Sequence, residues 1–173
     1  GYALPRISII EGRTCMKDFK GKTAVITGGA SGIGRAMGGL FLGKGMNVVL
    51  ADIEQKALDA TVTGLTASGD RCMGVVVDVS RAEDVQKLAD KTLTEFGAIH
   101  IACNNAGVFA GGLLWEQSLA DFRWQLDVNV WGVIHGIRTF VPIMAGQDSE
   151  CHIVNTASMA AVTAMPYSGI YHM

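Results

Sequence analysis

The segment Lys22–Gly34, which reads KTAVITGGASGIG, constrains the fold more than any other part of this 173-residue chain. A short β-rich apolar run, Thr23–Thr27, is followed directly by a glycine-rich stretch and then by a helical pattern. This order predicts a strand, a tight turn and a helix start, the unit from which parallel α/β proteins build a binding site for a pyrophosphate. Glycines let the main chain approach the phosphates, and the N–H groups of the first helical turn face the anion.

The spacing of these glycines differs from the common G-x-G-x-x-G pattern. Gly28, Gly32 and Gly34 follow Thr27 in the order T-G-x-x-x-G-x-G. A glycine-rich turn alone is weak evidence, because an ordinary turn before a helix has the same composition. Taken with the rest of the chain, the turn supplies five candidate cofactor-binding residues, which are Gly28, Ser31, Gly32, Ile33 and Gly34.

The rest of the chain alternates between strand-like and helical patterns. Most of the strand-like runs are almost continuously apolar, which is typical of strands covered by helices on both faces. Repeated βα units imply right-handed crossovers and a parallel sheet. The predicted fold class is therefore α/β, a Rossmann-type doubly wound parallel sheet in one domain over residues 16–173. The predicted strands are Thr23–Thr27, Asn47–Ala51, Cys72–Val77, Ile99–Cys103 and His152–Thr156, and the predicted helices lie near 33–44, 54–68, 81–96 and 118–145.

Two of these helices have recognisable start signals. Ser80 with Glu83 forms a capping-box pattern before the third helix, and Ser118 with Asp121 forms a similar pair before the fourth. The fourth helix carries apolar residues on nearly every side, which predicts burial on all sides. We weigh two explanations equally, a helix in the core and a helix in a subunit interface.

An acidic residue at the end of the second strand indicates which nucleotide is bound. Asp52 lies 18 residues after Gly34, where a carboxylate accepts the ribose hydroxyls of adenosine and repels a 2′-phosphate. The neighbouring Ser31 and Ile53 supply no positive charge for such a phosphate. The alternative is that Asp52 is a helix N-cap. We favour the ribose interpretation, which predicts NAD rather than NADP.

Polar and small residues follow the next two strands. Asp78 ends the third strand, where its carboxylate can accept the adenine amine while Val79 supplies a backbone amide. The sequence Asn-Asn-Ala-Gly at 104–107 follows the fourth strand, and its small residues leave room for a cofactor at the carboxyl ends of the sheet. The cofactor-binding candidates here are Asp78, Val79, Asn105, Ala106 and Gly107.

Composition narrows the class of protein. A formal net charge of −2, with no basic cluster, argues against nucleic acid as a partner. The four cysteines are far apart, which favours reduced thiols and a cytoplasmic location, and the four histidines have no metal-ligand spacing. No uninterrupted apolar run reaches the ~18 residues of a membrane span, so we expect no membrane partner.

Residues 1–15 lack the long apolar stretch of a signal peptide, and Met16 opens a run that resembles a natural start. We interpret residues 1–15 as an N-terminal extension or a segment added by cloning, since Ile10–Arg13 spell the protease-linker sequence IEGR. At the other end a fifth strand would leave an apolar sheet edge, so we expect the domain to continue beyond Met173.

Five ordered motifs resemble the short-chain dehydrogenase/reductase family, over residues 20–173. They are T-G-x-x-x-G-I-G at 27–34, N-N-A-G at 104–107, Asn129 within a helix, Ser158 after the fifth strand, and Tyr171 thirteen residues later. The resemblance implies that Tyr171 exchanges a proton with the substrate oxygen. It also implies that Ser158 hydrogen-bonds that oxygen and that Asn129 holds a water in the proton relay.

The family pattern also implies a lysine four residues after the catalytic tyrosine, which falls two positions beyond Met173. An ordinary phenol has a pKa near ~10, and nearby positive charge lowers it toward neutral pH. Three of the four expected catalytic residues are therefore present in this chain. Tyr167 is a weaker candidate, because Tyr171 occupies its lysine position.

We therefore expect an NAD-dependent alcohol dehydrogenase or ketone reductase that forms a homodimer or homotetramer. Its substrate is expected to be a small, hydrophobic secondary alcohol or ketone, because the residues expected to line the pocket are apolar. The competing interpretation is a dinucleotide-binding relative without turnover, with a regulatory or structural role. The expected pocket residues are Val108, Phe109, Met159, Met165 and Tyr167.

Overall fold

The computed structural model describes residues 16–66 and 71–173. The interpretation of residues 1–15 as an extension, and the end of the helix predicted to reach residue 68, lie outside the described residues. The strands are β1 (Thr23–Thr27), β2 (Asn47–Asp52), β3 (Cys72–Val76), β4 (Ile101–Asn104) and β5 (His152–Asn155). The helices are α1 (Gly32–Gly43), α2 (Gln55–Leu65), α3 (Ala82–Phe96), α4 (Leu119–Leu126) and α5 (Gly132–Ala145).

The five strands form one sheet in the order β3-β2-β1-β4-β5, and every pairing between neighbours is parallel. In the central strand, Val25 pairs with Val49 on one side and with Ala102 on the other. The chain builds outward from β1 in one direction and then from β4 in the other. The crevice of such a sheet lies at the carboxyl ends of the two strands where the order reverses. The predicted α/β fold with a doubly wound parallel sheet is therefore confirmed.

Apolar side chains on the two faces of the sheet form two separate clusters. On one face, Val25 and Val49 pack with Leu88 of α3 and Phe140 of α5. On the other face, Ile26 and Leu50 pack with side chains of the helices on that side, Leu42 of α1 and Leu58 of α2. All five residues of β1 are buried, as expected of a strand with helices on both faces. This buried strand holds the glycine turn that follows it.

One of the two predicted helix caps is correct. Ser118 accepts a hydrogen bond from the Asp121 amide, and the Asp121 carboxylate accepts one from the Ser118 amide, so this capping box is confirmed. The cap predicted at Ser80 is wrong, because α3 begins after Arg81 and has no side-chain cap. The Ser80 hydroxyl and amide instead donate to the Asp78 carboxylate, which removes Ser80 from the helix end.

The predicted fourth helix is two α-helices joined by a π-helical turn, Asp127–Trp131. Together they run without a break from Leu119 to Ala145, and by length and composition this 27-residue segment could cross a membrane. The sequence prediction considered only uninterrupted apolar runs, and it did not identify this segment. One face of α5, formed by Gly136, Phe140 and Met144, is buried on the sheet, so the segment is part of the packed domain.

Burial of this segment on all sides, which the sequence predicts, is wrong. Trp131 is 51% exposed and Ile137 is 38% exposed, and Val130 and Val141 are exposed beside them. The apolar residues therefore serve two faces. One face packs on the sheet, and the other is open in this single chain.

Candidate active site

The turn between β1 and α1 requires glycine at two positions for different reasons. Gly28 has a φ of +66°, and a Cβ there would lie 2.9 Å from the Ala106 Cα. At Gly34 a Cβ would lie 2.1 Å from the Gly28 carbonyl oxygen, which is a direct clash. The turn is thus folded tightly against itself and against the chain that follows β4. Gly34 is buried, and its lack of a side chain allows the turn to fold this tightly.

The first turn of α1 faces the crevice with unoccupied backbone donors. Ser31 is the N-cap residue, but its side chain accepts no hydrogen bond from the amides of this turn. Gly32 has a φ of +51°, and in the described structure no atom lies within 4 Å of the place a Cβ would occupy. This exposed helix end, with its partial positive charge, is suited to an anion.

Asp52 ends β2 beside this turn, with its carboxylate fixed by two backbone amides. One oxygen accepts a 3.0 Å hydrogen bond from the Ala30 amide, and the other accepts a 3.1 Å bond from the Glu54 amide. The alternative N-cap role is wrong, because Glu54 occupies that position at the start of α2. Asp52 and Ile53 both line the crevice. The carboxylate is therefore held in place before any ligand binds.

Asp78 and Val79 lie on the same side of the crevice, after β3. One Asp78 carboxylate oxygen accepts both the amide and the hydroxyl of Ser80, at 2.9 Å and 2.6 Å. These bonds fold residues 78–80 into a local turn. Val79 is buried, and its carbonyl oxygen contacts the His135 ring at 2.9 Å.

The Asn-Asn-Ala-Gly segment is joined to the glycine turn by Thr27, which the sequence analysis assigned no contact. The Thr27 hydroxyl accepts hydrogen bonds from the amides of Asn105 and Ala106, at 3.0 Å and 3.1 Å. The Asn105 side chain in turn donates to the Thr27 carbonyl oxygen at 3.0 Å. The signal for Thr27 in the sequence is its place at the start of the T-G-x-x-x-G-x-G pattern. The Asn105 carboxamide thus makes structural bonds at the edge of the crevice.

Asn129 lies in the π-helical turn and binds the main chain of Val108 in both directions. Its Oδ1 accepts from the Val108 amide, and its Nδ2 donates to the Val108 carbonyl oxygen, each at 2.8 Å. Both ends of the carboxamide are therefore occupied. Asn129 positions the loop after β4, and it does not line the crevice.

Ser158 follows β5, which is separated from β2 and Asp52 by β1 and β4 in the sheet, and both Ser158 and Tyr171 line the crevice. Ser158 caps a 3-10 turn, Met159–Ala161, by accepting from the Ala160 amide. Tyr171 lies in a second 3-10 turn, Ile170–His172, and its ring meets Phe109 edge-on with centroids 5.3 Å apart. The Phe109 contact was not anticipated from the sequence.

These residues surround one cleft of about 1030 Å³. Met159, Met165 and Tyr167, which were expected in the pocket wall, do not line it and are 55–70% exposed. Met159 lies in the 3-10 turn and the other two follow it, and all three side chains face solvent, so that part of the expectation is wrong. The candidate residues that line the cleft are Gly28, Ser31, Gly32, Ile33, Asp52, Ile53, Asp78, Val79, Asn105, Ala106, Gly107, Ser158 and Tyr171.

The described residues offer neither a metal-ligand cluster nor, at Cys103, a thiol that ionises readily. Across residues 16–66 and 71–173, no group of three His, Cys, Asp or Glu side chains has an arrangement that could hold a metal ion. Burial raises the pKa of the Cys103 thiol to about 11, so this cysteine at the end of β4 stays protonated at neutral pH.

Comparison with known proteins agrees with this geometry. The family model described as short chain dehydrogenase matches residues 22–172. A 2,5-dichloro-2,5-cyclohexadiene-1,4-diol dehydrogenase of Sphingobium indicum is 41% identical over 157 residues, 90% of this chain and 62% of that protein. A 1-deoxy-11-beta-hydroxypentalenate dehydrogenase of Streptomyces exfoliatus is 38% identical over 87% of this chain and 55% of that protein.

A solved structure has the same fold. The short chain dehydrogenase/reductase from Burkholderia phymatum in complex with NAD is 52% identical, with a TM-score of 0.89, over 91% of this chain and 56% of that one. This chain thus spans somewhat more than half the length of these relatives. The match of a family model over almost the whole chain, together with the glycine turn and the Ser158–Tyr171 end of the cleft, shows that the chain belongs to the short-chain dehydrogenase/reductase family.

Proposed function

We propose that the protein transfers a hydride between NAD(H) and a secondary alcohol or ketone. One observation carries the proposal. A single cleft is lined at its β2 end by the first turn of α1 and Asp52, and at its β5 end by Ser158, with Tyr171 in the same lining. The first end suits a dinucleotide, and the second suits proton exchange with a substrate oxygen.

Two features of the cleft suit a dinucleotide, the first turn of α1 and the Asp52 carboxylate. The space beside Gly32 is open, and the amides of the first α1 turn have no side-chain cap. Asp52 places a fixed carboxylate where a ribose diol would bind, with Ile53 rather than a cation next to it. A 2′-phosphate there would meet negative charge without compensation, which supports NAD rather than NADP.

In the proposed reaction, the chain's own residues bind the substrate oxygen and move one proton. Tyr171 takes the proton from the alcohol oxygen during oxidation and returns it during reduction. Ser158 donates a hydrogen bond to the same oxygen and keeps it near the phenol. When bound, NAD supplies the acceptor for the hydride that leaves the carbinol carbon. Asn129 acts at a distance, by fixing the Val108 main chain beside the cleft.

The substrate is proposed to be a small, mainly hydrophobic cyclic alcohol. Val108 and Phe109 form an apolar wall next to Tyr171. The relative that is 41% identical is named for a chlorinated cyclohexadiene diol, which is a compact ring with hydroxyl groups. This combination favours alicyclic and aromatic alcohols over open-chain polyols or sugar phosphates.

The experiment is a steady-state assay of NADH formation with the protein expressed from its complete reading frame. The panel contains cyclohexenols, cyclohexadiene diols, benzylic alcohols and xylitol, each with NAD and with NADP. We expect turnover of cyclic secondary alcohols with NAD, and kcat/KM for xylitol at least about tenfold lower, about 1.4 kcal/mol of discrimination. The matching ketones are assayed in the reverse direction with NADH. Tight NAD binding with no turnover of any of these alcohols or ketones would instead identify a binding protein without catalysis.

The proposal extends to location and assembly. We place the protein in the cytoplasm, with small molecules as partners and no nucleic acid or membrane partner. We also propose a homodimer or homotetramer, because the face of α5 around Trp131 and Ile137 is apolar and open.

A further inference from the structure

His172 follows the candidate acid/base directly and bonds at both ring nitrogens. Its Nδ1 lies 2.7 Å from the Ala160 carbonyl oxygen. Its Nε2 accepts a 3.0 Å hydrogen bond from the Met165 amide. The imidazole thus bridges the two ends of residues 160–165, the loop that follows Ser158.

These two bonds define the chemical state of the ring. A backbone amide can only donate, so Nε2 must carry a lone pair, and a carbonyl oxygen can only accept, so Nδ1 must carry the hydrogen. Only the neutral Nδ1–H form of His172 makes both bonds. A proton on Nε2 would place two donors against each other at Met165.

The bridge connects the two candidate catalytic side chains through a short series of contacts. The Ser158 hydroxyl accepts from the Ala160 amide at 3.1 Å, and the Ala160 carbonyl oxygen contacts the His172 ring. His172 is also joined to its own turn, since its amide donates to the Ser168 carbonyl oxygen at 3.2 Å. The position of Tyr171 relative to Ser158 therefore depends on the imidazole between them.

We propose that His172 is a positioning residue that sets the distance between Ser158 and Tyr171 by holding residues 160–165 against the Tyr171 turn. The role rests on the proposed dehydrogenase function, but the bridge itself does not. His172 does not line the cleft, so it acts through Tyr171 and Ser158 rather than on the substrate. Displacing a catalytic group by about 1 Å can cost on the order of 100-fold in rate.

The test compares His172→Ala, which removes both bonds, with His172→Gln, which keeps a neutral donor and acceptor. His100→Gln is the matched control. The His100 Nδ1 also accepts from a backbone amide, that of Thr23 at 3.0 Å, but it lies at the amino end of the sheet, away from the cleft. The readouts, taken on the protein from the complete reading frame, are kcat, KM, the Kd for NAD and the melting temperature.

For His172→Ala we expect kcat to fall on the order of 10-fold to 100-fold, with the Kd for NAD within about twofold of the parent. His172→Gln should recover kcat to within about threefold, because its amide can replace at least one bond. His100→Gln should leave kcat unchanged. Parental kcat in His172→Ala, no recovery in His172→Gln, or an equal kcat loss in His100→Gln would each overturn the proposal.

A spectroscopic measurement tests whether the His172 ring makes both hydrogen bonds, and it does not depend on turnover. In protein labelled with ¹⁵N-histidine, we expect the ring signal lost in His172→Gln to show the neutral Nδ1–H form. The signal lost in His100→Gln should show the Nε2–H form. An Nε2–H or doubly protonated His172 at neutral pH would overturn the bridge. Absence of alcohol turnover in the parent would overturn the proposed function, while the ring spectrum would still decide the bridge.

Discussion

At the scale of single residues, Asp52 differs from an ordinary surface carboxylate because backbone amides hold both of its oxygens. The Ala30 and Glu54 amides fix the side chain at 3.0 Å and 3.1 Å, so its direction is set before a ligand arrives. A fixed carboxylate can discriminate between ligands, because it cannot turn away from a negatively charged group. We therefore propose that Asp52, with Ile53 beside it, determines the choice between NAD and NADP.

We predict that the parent protein prefers NAD over NADP by at least roughly tenfold in kcat/KM, about 1.4 kcal/mol. The double variant Asp52→Ala with Ile53→Arg should narrow or reverse this preference, because it removes the repulsion and adds a phosphate partner. Initial rates with both cofactors give the ratio. Equal kcat/KM values in the parent would contradict the role given to Asp52.

The two tyrosines at the end of the chain make a second residue-scale prediction. Tyr171 lines the cleft beside Phe109, whereas Tyr167 is 65% exposed outside it. Tyr171→Phe should lower kcat on the order of 100-fold or more, because it removes the proton donor and acceptor, and NAD binding should change little. Tyr167→Phe is the control and should be mild. An inactive Tyr167→Phe beside an active Tyr171→Phe would reverse the assignment.

Local sequence patterns identify several of the residues that line the cleft, whereas contacts between distant residues leave no such pattern. Gly28 and Asp52 belong to a short motif, so their positions in the cleft could be anticipated. The Thr27 contact with Asn105 and Ala106 joins residues about 78 positions apart, which no local pattern reveals. Tyr167 was misplaced in the pocket wall for a related reason, since the path of its loop depends on tertiary contacts such as the His172 bridge.

At the scale of elements, the close packing of α5 on β4 depends on glycine at position 136. A Cβ at Gly136 would lie 1.9 Å from the Oδ1 of Asn104, a buried residue whose Nδ2 donates to Asn155 on β5. The helix therefore approaches the sheet over a glycine. Sequence patterns predicted both elements but not this contact, because glycine in a helix has several explanations.

Gly136→Ala should destabilise the protein by about 1–3 kcal/mol, because the new methyl group displaces either the helix or the Asn104 amide. Gly64→Ala is the matched control. It lies in α2 with no described atom within 4 Å of the new Cβ, so it should stabilise by about 0.5–1 kcal/mol. Urea unfolding measures both. A Gly136→Ala variant as stable as the parent would show that the close approach can relax freely.

The amino ends of the strands supply the pH prediction. Burial, and secondarily the charge of Lys22, lowers the pKa of His100 from 6.5. The unfolded chain therefore takes up the proton first as the pH falls, so the contribution of His100 to stability is complete above about 6.5 and decreases below it. His100→Gln should make the unfolding free energy less dependent on pH in that window. Identical pH slopes for parent and variant, by urea unfolding at several pH values, would contradict this.

At the scale of the whole molecule, exposed apolar side chains are prominent on one segment of the described surface. The segment Leu119–Ala145 exposes Val130, Trp131, Ile137 and Val141, while its Trp124 lines the cleft. Large exposed apolar patches mark interaction sites in many proteins. From the sequence these residues suggested either core or interface. Their exposure in the described residues argues against the core, and we propose that they form a subunit interface.

We predict that the parent protein is a homo-oligomer and that Ile137→Lys lowers its molar mass in solution, because a buried lysine charge opposes association. Leu40→Lys is the control, since Leu40 is 59% exposed on α1, across the sheet from α5. Light scattering at micromolar concentration measures the mass of each. A monomeric parent, or equal dissociation by both variants, would contradict an interface on this face.

The π-helical turn at Asp127–Trp131 also changes the periodicity of the apolar residues along the segment Leu119–Ala145. One surplus residue rotates all that follows by about 100° relative to a continuous α-helix. A helical wheel that assumes one continuous α-helix therefore superimposes the apolar residues before the turn on those after it, although the two sets face different directions. In the folded chain, the surplus residue reconciles two demands, the bonds of Asn129 to Val108 and the contact of Gly136 with Asn104. A variant with one residue deleted from this turn would have a straighter helix, but it could keep only one of those two sets of contacts.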